Sequence, residues 1–540
     1  MTIIPLPSLV EVTLSIIFGL VLLLGVGWLV RAFGLELPTS IERVLSGRVV
    51  PVVAGIISGA IVLFVWRSAN EPGTSHDEQA YLLQAEILAR GHWTGEPPPM
   101  PEFFEQPHVL VEPRLAAKYP PGNSLALIPG IWAGWPGLVP IIMSGVAGAL
   151  IFTVVRQLTN SSVALLTWVL WSTSTTSLYW RATYYSQNTT AVLWLVAILG
   201  LMRWGSSRRW LPLAVVGCSF GFMYLTRPLT AFALGLPAGV LIVMMAWKRN
   251  LWQQVLVTVA VVIPILAFEL LWRHETMGDW RTHPYQEYSR QYLPFDRPGF
   301  GVDLTPAAKP RGPALQWIEE RFSAEHARHQ LSSLPAILAG RVIVLIRALA
   351  EGWRIILVLG AAVGVVLLRG PGWFGVISAA ALVLGYLAYA HAAWWNVYYT
   401  EIFAVFFFIA ALGLISLARI GLKLDEPTLK VTTIVALMVL TPWLASDVVR
   451  ARRRADDRGD FHRRAREAVA AVAGTPSVVF VSYPPRHAYF RSLVVNSPDY
   501  RTARVWLVYD RGGENERLLR VTARPAYRLR TDTWALERIR

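Results

Sequence analysis

The sequence is short of charge and has almost no cysteine. Of its 540 residues, 16% are charged, and Cys218 is the single cysteine. A soluble globular protein carries roughly a quarter charged residues, so the composition excludes a soluble enzyme, a disordered chain and a coiled coil. Because Cys218 has no second cysteine to pair with, disulfide bonds within the chain are excluded and give no information on the redox compartment.

The sequence also lacks a glycine-rich nucleotide-binding loop. Gly-Phe-Gly at 299–301 matches neither a P-loop nor a dinucleotide fingerprint. Apolar residues are abundant instead: they make up 54% of the chain, with 23 tryptophans, and the mean hydropathy is +0.44. Many tryptophans suit a protein that crosses several membrane–water interfaces.

The apolar residues fall into runs long enough to cross a bilayer, which requires about 20 residues of helix. The pattern predicts an all-α polytopic membrane protein with about 12 transmembrane helices. The predicted spans are 8–30, 49–66, 133–155, 162–180, 188–203, 211–225, 229–247, 252–272, 354–369, 373–391, 398–419 and 430–446. The run 8–30 lacks a basic start and a small-residue cleavage site, so we expect it to be retained as a helix.

The net charge of +15 could indicate nucleic-acid binding, but its distribution argues against that partner. Basic residues concentrate in alternate short links, such as Arg208, Arg209 and Lys248, as the positive-inside rule expects for cytoplasmic links. This orientation predicts a multi-pass protein of the cytoplasmic (inner) membrane with both termini outside. The basic stretch 450–466 disagrees with it, although long tails cross membranes largely regardless of charge.

Three long segments then lie on the outer side, at 67–132, 273–353 and 447–540. Loops of this length in a compact membrane protein are usually functional. We therefore predict three parts: an extra N-terminal helix with a cytoplasmic link (1–48), a transmembrane core (49–446) and an extracytoplasmic domain (447–540). Apolar runs at 477–483 and 505–509, followed by Gly512-Gly513, predict that this last domain is small and α/β.

The first outer segment opens with Ser75-His76-Asp77-Glu78 and continues as an amphipathic pattern that ends at Gly91. Asp77 lies at the positive end of this predicted helix, where a carboxylate is stabilised and could orient or deprotonate a hydroxyl. Glu78, three residues after Ser75, fits an N-terminal capping box equally well. Asp77 and Glu78 are the candidate catalytic residues.

Further along, Lys118-Tyr119-Pro120-Pro121 forms an extended stretch, because proline excludes helix at Tyr119. A lysine held at headgroup depth suits a lipid phosphate. The alternative is a lysine whose charged end simply reaches to the interface. Glu269 and Glu401, within or beside apolar runs, are functional candidates unless each pairs with an arginine.

These two motifs resemble the GT-C superfamily of integral-membrane glycosyltransferases, the branch of protein O-mannosyltransferases and the aminoarabinose transferase of lipid A. Thr226-Arg227-Pro228 resembles a turn common in these proteins. Gly278-Asp279, His283-Pro284-Tyr285 and Pro294-Phe295-Asp296 resemble their second outer loop. Two features depart from the pattern: the extra N-terminal span, and Tyr119 between the lysine and Pro-Pro.

The resemblance implies a GT-C-like fold and a polyprenyl-phosphate-linked sugar donor. It further implies transfer with inversion to a lipid, glycan or protein acceptor, with Asp77 on the acceptor and Lys118 near the donor phosphate. Arg227 and Arg181 would add phosphate contacts, unless they are ordinary interfacial arginines. Tyr119, His391, Tyr398 and Tyr399 would contact substrate, although the aromatic stretch 391–399 also fits an aromatic belt.

No cofactor is predicted with certainty and no metal ligands are assigned. A divalent metal remains open, because nine of the ten histidines lie in the predicted outer segments and the tenth, His391, lies at the outer end of a predicted span. Two other functions compete with glycosyl transfer. A secondary transporter or lipid flippase would suit the many spans, but paired halves with broken helices are not evident. A non-catalytic anchor would serve only to present residues 447–540.

Overall fold

The computed structural model describes residues 9–36, 38, 47–71 and 73–540 of the protein, and most of these are helical. The helices are α1 (Leu9–Ala32), α2 (Val50–Val65), α3 (His76–Ala89), α4 (Gly122–Trp132), α5 (Leu138–Leu158), α6 (Ser161–Thr173), α7 (Thr175–Arg181), α8 (Gln187–Ser207), α9 (Trp210–Thr226), α10 (Pro228–Arg249), α11 (Trp252–Met277), α12 (Pro284–Tyr292), α13 (Pro313–Arg328), α14 (Leu334–Leu349), α15 (Ile356–Leu367), α16 (Gly372–Gly385), α17 (Phe403–Leu422), α18 (Glu426–Ala470) and α19 (Asn515–Arg520).

The strands form two sheets. The short strands β1 (Val109–Leu110) and β2 (Ala116–Ala117) pair antiparallel within the first outer segment. Near the C-terminus, β3 (Ser477–Ser482), β4 (Val505–Tyr509), β5 (Ala526–Arg530) and β6 (Leu536–Arg538) form one sheet in the order β4-β3-β5-β6. β4, β3 and β5 are parallel and β6 is antiparallel. A small C-terminal sheet domain is therefore confirmed.

The membrane-spanning character is confirmed as well. Within the described ranges, eight helices are long and apolar enough to cross a membrane. A ninth is added if the pair Gly352–Leu367 and Gly372–Ala388, bent by 119°, forms one span. Val49–Val65, Ser161–Thr173 and Trp210–Thr226 are shorter apolar helices. Every predicted span overlaps one of these helices, and the protein is a multi-pass membrane protein.

The predicted span 162–180 differs from the structure because the helix is broken at Ser174. That residue is extended and both ends α6 and begins α7, its hydroxyl accepting a hydrogen bond from the amide of Ser177 at 3.4 Å. A serine competes well for backbone amides at such positions. The break turns α7 into a separate short helix that carries Arg181.

Helix α14 was not predicted, since it lies inside the expected outer segment 273–353. It is among the eight helices that are long and apolar enough to cross a membrane. His329, just before it, contacts the carbonyl of Leu387, Arg341 donates to the carbonyls of Tyr386 and Tyr389, and the carbonyl of Ala348 accepts from Thr176. These contacts tie α14 to α7 and to the segment that follows α16.

Helix α18 continues far beyond the predicted span 430–446 and ends at Ala470. Its extension buries Ala451, Ala455 and Ala465, because alanine allows close packing on one helix face. The predicted domain boundary at 446/447 therefore falls inside a continuous helix. At the other end of the chain, α1 packs through Val26 and Val30 against α18. Most of the predicted cytoplasmic link (37 and 39–46) and residues 1–8 lie outside the described residues.

The C-terminal sheet packs on both faces. One face, with Phe480 and Val508, shares a core with Leu83 and Phe104 of the first outer segment. The other face packs against the end of α18 around Ala465. At the same end of the bundle, Trp317 of α13 lies 6.1 Å from Phe490 between ring centroids. We call this end, which holds α3, α12, α13 and the sheet, the domain end.

Within the bundle, glycines allow the closest helix contacts. A Cβ at Gly413 of α17 would lie 1.9 Å from the carbonyl oxygen of Gly360 and 2.6 Å from the amide of Gly364, both on α15. Small residues of this kind let backbones approach each other in membrane helices. The α15–α17 contact therefore depends on glycine at all three positions.

Candidate active site

Asp77 lies in the first turn of α3, two residues after the N-cap Ser75. One of its carboxylate oxygens accepts a hydrogen bond from the hydroxyl of Tyr119. Tyr119 also stacks on Tyr81, one turn further along α3, with ring centroids 4.8 Å apart. Burial raises the pKa of Asp77 above its usual value, although the Tyr119 hydrogen bond and the charge of Lys118 oppose this rise. A carboxylate with a raised pKa is a stronger base.

Glu78 has different surroundings. It is buried, and its carboxylate accepts hydrogen bonds from the amide and hydroxyl of Thr74, the hydroxyl of Ser75 and the amide of Tyr184. These donors occupy the sites at which the carboxylate could accept a substrate proton. The arrangement favours the capping alternative for Glu78. Its hydrogen bond from the Tyr184 amide also ties the start of α3 to the loop after α7.

Lys118 is 2% exposed and forms a salt bridge of 2.6 Å between Nζ and Oδ2 of Asp296. Its ammonium also lies over three aromatic rings, at 4.5 Å from the centroid of Tyr285, 5.0 Å from Tyr288 and 5.2 Å from Tyr119. Aromatic faces attract a cation without neutralising it. The lysine is therefore held in one place, charged, between the first and second outer segments.

Asp296 accepts three hydrogen bonds from side chains. Besides Lys118, the hydroxyl of Tyr285 donates at 2.8 Å and that of Tyr389 at 3.0 Å, both to Oδ1. Burial alone would raise the pKa of Asp296, but the charge and hydrogen bond of Lys118, together with Tyr285, hold it below its usual value. Asp296 is thus an ionised carboxylate inside a ring of donors.

Asp77 and Lys118 belong to one cluster, since Tyr119 is bonded to the first and adjacent in sequence to the second. The cluster extends to Arg227 through Tyr389 and Tyr398, whose ring centroids are 5.8 Å apart. The Arg227 guanidinium lies 5.3 Å from the centroid of Tyr398 and donates to the hydroxyl of Tyr386. The predicted residues Asp77, Lys118, Tyr119, Arg227 and Tyr398 therefore meet at the domain end.

His391 and Tyr399 flank this cluster. The His391 ring packs on Tyr398 at 4.6 Å between centroids, and its Nε2 lies 2.9 Å from the hydroxyl of Tyr399. Tyr399 is 1% exposed, which places it behind Tyr398 and His391. His391 and Tyr399 therefore support the ring of Tyr398 from its buried side.

Arg181 is not brought to Lys118. It donates to the hydroxyl of Ser144 at 2.8 Å and to the carbonyl of Ser172 at 2.7 Å, and it stacks on Trp171. Arg181 lines a narrow cavity together with Glu401. A carboxylate oxygen of Glu401 lies 3.9 Å from a guanidinium nitrogen of Arg227. Glu269 likewise pairs with an arginine, Arg273, at 2.5 Å. Glu401 and Glu269 are therefore each paired with an arginine, which was the alternative to a functional role.

The sequence analysis did not assign roles to Asp296, Tyr285 or Tyr389. A signal was present for the first two, because they lie in the two stretches that resemble a second outer loop. Tyr389 precedes the aromatic stretch 391–399 by two residues. For a metal, the described part of the chain contains no group of three or more His, Cys, Asp or Glu side chains arranged to hold an ion.

A family model described as dolichyl-phosphate-mannose-protein mannosyltransferase matches residues 133–272. The match covers 140 of the 540 residues, all of them in the predicted transmembrane core. The match confirms the resemblance predicted from the first two motifs, although it covers a different part of the chain. No curated protein sequence matches.

Two solved structures are similar to this chain. ArnT from Cupriavidus metallidurans bound to undecaprenyl phosphate has 12% identity and a TM-score of 0.44, over 90% of this chain and 94% of that one. The oligosaccharyltransferase AglB from Archaeoglobus fulgidus, in complex with an inhibitory peptide and a dolichol-phosphate, has 11% identity and a TM-score of 0.37. That match covers 77% of this chain and 58% of AglB.

Proposed function

We propose that this protein is a glycosyltransferase of the GT-C type, which moves a sugar from a polyprenyl-phosphate donor to an acceptor hydroxyl at the outer face of the cytoplasmic membrane, with inversion at the anomeric carbon. The observation that carries the proposal is the cluster at the domain end. It joins a carboxylate of raised pKa, Asp77, to a buried cation, Lys118, through Tyr119. The two known structures named above hold polyprenyl phosphates, which supports the donor class.

The chemistry requires little beyond these groups. As the acceptor oxygen bonds to the anomeric carbon, the bond from that carbon to the phosphate oxygen breaks and the polyprenyl phosphate leaves. Lys118 stabilises the negative charge that develops on this leaving group, and Arg227 lies on the same cluster to assist. Asp77 accepts the proton of the acceptor hydroxyl. Attack opposite to the leaving phosphate gives inversion.

The remaining predicted residues take supporting roles in this proposal. Tyr119 holds Asp77 in orientation, and Tyr398, supported from behind by His391 and Tyr399, offers an aromatic surface to the sugar or the first isoprene units. Arg181, whose guanidinium donates to Ser144 and Ser172, has no contact with the phosphate in this proposal. Glu78 keeps α3 in place, and the proposal assigns it no proton transfer.

The proposal is tested with Asp77→Asn in membranes supplied with polyprenyl phosphates that carry labelled sugars. We expect transfer to fall by about 10²- to 10⁴-fold, the usual contribution of a general base, with donor binding retained. Glu86→Gln, a second carboxylate substitution on α3, is the matched control and should leave transfer unchanged. Unchanged transfer by Asp77→Asn would remove Asp77 from the mechanism.

The outer location of the site is tested separately by cysteine labelling in intact cells. Because Cys218 is the single cysteine, a Cys218→Ser variant has no thiol, and cysteines can then be introduced into it one at a time. Thr533→Cys on the C-terminal sheet should react with a membrane-impermeant maleimide. Ser206→Cys, near the opposite end of the bundle, should react only after the membrane is permeabilised. The reverse pattern would place the site in the cytoplasm.

A further inference from the structure

The contacts of Asp296 suggest more than a structural ion pair. Its carboxylate receives one ammonium and two phenol hydroxyls, and these come from three distant parts of the chain: Lys118, Tyr285 and Tyr389. A positive charge together with several converging hydrogen-bond donors is what a phosphate group requires. The donors therefore form a ready anion site, and a side chain of the protein occupies it.

The occupant can leave the site without destroying it. Asp296 lies in the turn after α12, where its amide donates to the carbonyl of Leu293 and its carbonyl accepts from the hydroxyl of Ser289. These backbone bonds do not involve the carboxylate. Tyr285 and Tyr389 are held near each other independently, with their hydroxyls 3.3 Å apart. Rotation of the Asp296 side chain would leave the lysine and both hydroxyls in place.

We propose that Asp296 is an internal competitor for the donor phosphate, and that this competition sets specificity for lipid-linked phosphate. This inference rests on the proposed function. In the resting enzyme the carboxylate neutralises Lys118; when the donor binds, its phosphate takes over Lys118, Tyr285 and Tyr389. Two anions cannot share the ammonium without strong repulsion between them in a buried site.

The exchange favours a lipid-linked phosphate over a free one. Asp296 is tethered beside Lys118, so it competes at a high effective concentration that dissolved phosphate does not match. A polyprenyl chain adds the free energy of its own burial and concentrates the phosphate at the membrane. After transfer, the returning carboxylate also helps to expel the polyprenyl phosphate product. Asp296 is thus a specificity-determining residue that acts through Lys118.

The test uses full-length protein in detergent micelles, a short-chain polyprenyl phosphate as the ligand and inorganic phosphate as the competitor. For wild type, we expect the lipid phosphate to bind and inorganic phosphate at tens of millimolar to displace little of it, since the tethered carboxylate outcompetes it. For Asp296→Ala, the lipid phosphate should bind about tenfold more tightly. Inorganic phosphate should then compete with it in the millimolar range. In transfer assays, both kcat and KM should fall together, because product release slows.

Asp296→Asn removes the charge while keeping the shape of the side chain. It should change the affinities for lipid phosphate and inorganic phosphate in the same direction as Asp296→Ala does, and it provides a second variant should the alanine protein misfold. Asp303→Ala is the matched control, since Asp303 lies in the same segment and forms a more exposed pair with Arg297. Weaker lipid-phosphate binding, or continued insensitivity to inorganic phosphate, in a variant with the wild-type unfolding temperature would overturn the inference. Failure of wild type to bind the lipid phosphate would instead refute the proposed function.

Discussion

The hydroxyl of Tyr119 donates a hydrogen bond to the carboxylate of Asp77, and the Tyr119 ring stacks on Tyr81. A residue adjacent to the buried lysine therefore also controls the acidity of the proposed base. The hydrogen bond favours the ionised form of Asp77, whereas burial favours the protonated form. The balance between the two should be visible in the pH dependence of transfer.

Tyr119→Phe should shift that pH dependence. Without the hydroxyl, the pKa of Asp77 rises further, so the acidic limb of kcat/KM should move to higher pH. Tyr184→Phe is a useful comparison, because Tyr184 is also buried but donates to the carbonyl of Ala69 instead. It should lower stability and leave the acidic limb unchanged. A Tyr119→Phe profile that coincides with wild type would show that Asp77 does not titrate in the rate-limiting step.

Glu78→Ala should separate folding from catalysis. Removing this carboxylate leaves the buried amides of Thr74 and Tyr184 without an acceptor, which should lower the free energy of unfolding by about 3 kcal/mol. Asp77→Asn should leave that free energy nearly unchanged. Thermal unfolding in detergent, followed by transfer assays on the folded fraction, measures both. A Glu78→Ala protein of normal stability but no activity would return Glu78 to the catalytic candidates.

Gly413→Ala should destabilise the α15–α17 contact. The added methyl group would meet the backbone of Gly360 at 1.9 Å, and helices forced apart in this way typically lose about 1–3 kcal/mol. Gly239→Ala on α10 is the control, since a Cβ there meets no atom within 4 Å. The control should unfold at or slightly above the wild-type temperature, because alanine favours helix. Equal unfolding temperatures for the two variants would contradict the packing described here.

The contact between α3 and the C-terminal domain should weaken in acid. Burial lowers the pKa of His76, His462 and His487 to about 4. Each histidine therefore binds protons less readily in the folded protein than in the unfolded one, where its pKa is near 6.5. The stability that this provides is present above pH 6.5 and is lost as the pH falls towards 4.

The measurement is the thermal unfolding midpoint between pH 7 and pH 4 for wild type, His462→Gln and His92→Gln. His462 contacts Gln79 of α3 at 3.4 Å, whereas His92 is exposed. Losing one titrating group should reduce the acid-induced drop in His462→Gln, relative to its own midpoint at pH 7. The His92→Gln protein should follow wild type. A wild-type midpoint that stays constant down to pH 4 would contradict this prediction.

Much of the architecture could be predicted from hydropathy alone, because every long apolar run in a membrane protein has to form a helix. The predicted end of the first outer helix, at Gly91, closely follows the end of α3, and strands β3 and β4 lie at the expected runs, whereas β5 and β6 were not predicted. Helix α14 was missed although it is apolar enough to cross a membrane, because the whole stretch 273–353 was assigned to an outer segment. The run contains Arg341, and only the surrounding backbone carbonyls in the folded protein give this arginine its partners.

The site was predictable as far as local motifs reach. Asp77 and Lys118 each have a local signal, a helix start and a proline-fixed extended stretch, but Lys118 and Asp296 are 178 positions apart. Single-sequence patterns carry no information on such a distant pairing. The same limit explains why Glu78 was left between two roles, since its partner Tyr184 lies 106 positions away.

The uninterrupted course of α18 from Glu426 to Ala470 has a mechanical consequence. Each residue inserted into an α-helix turns everything beyond it by about 100° and advances it by about 1.5 Å. An insertion between the bilayer and the end of α18 would swing the β-sheet away from α3. Exchange of C-terminal domains between proteins of this type would therefore have to preserve helical phase as well as length.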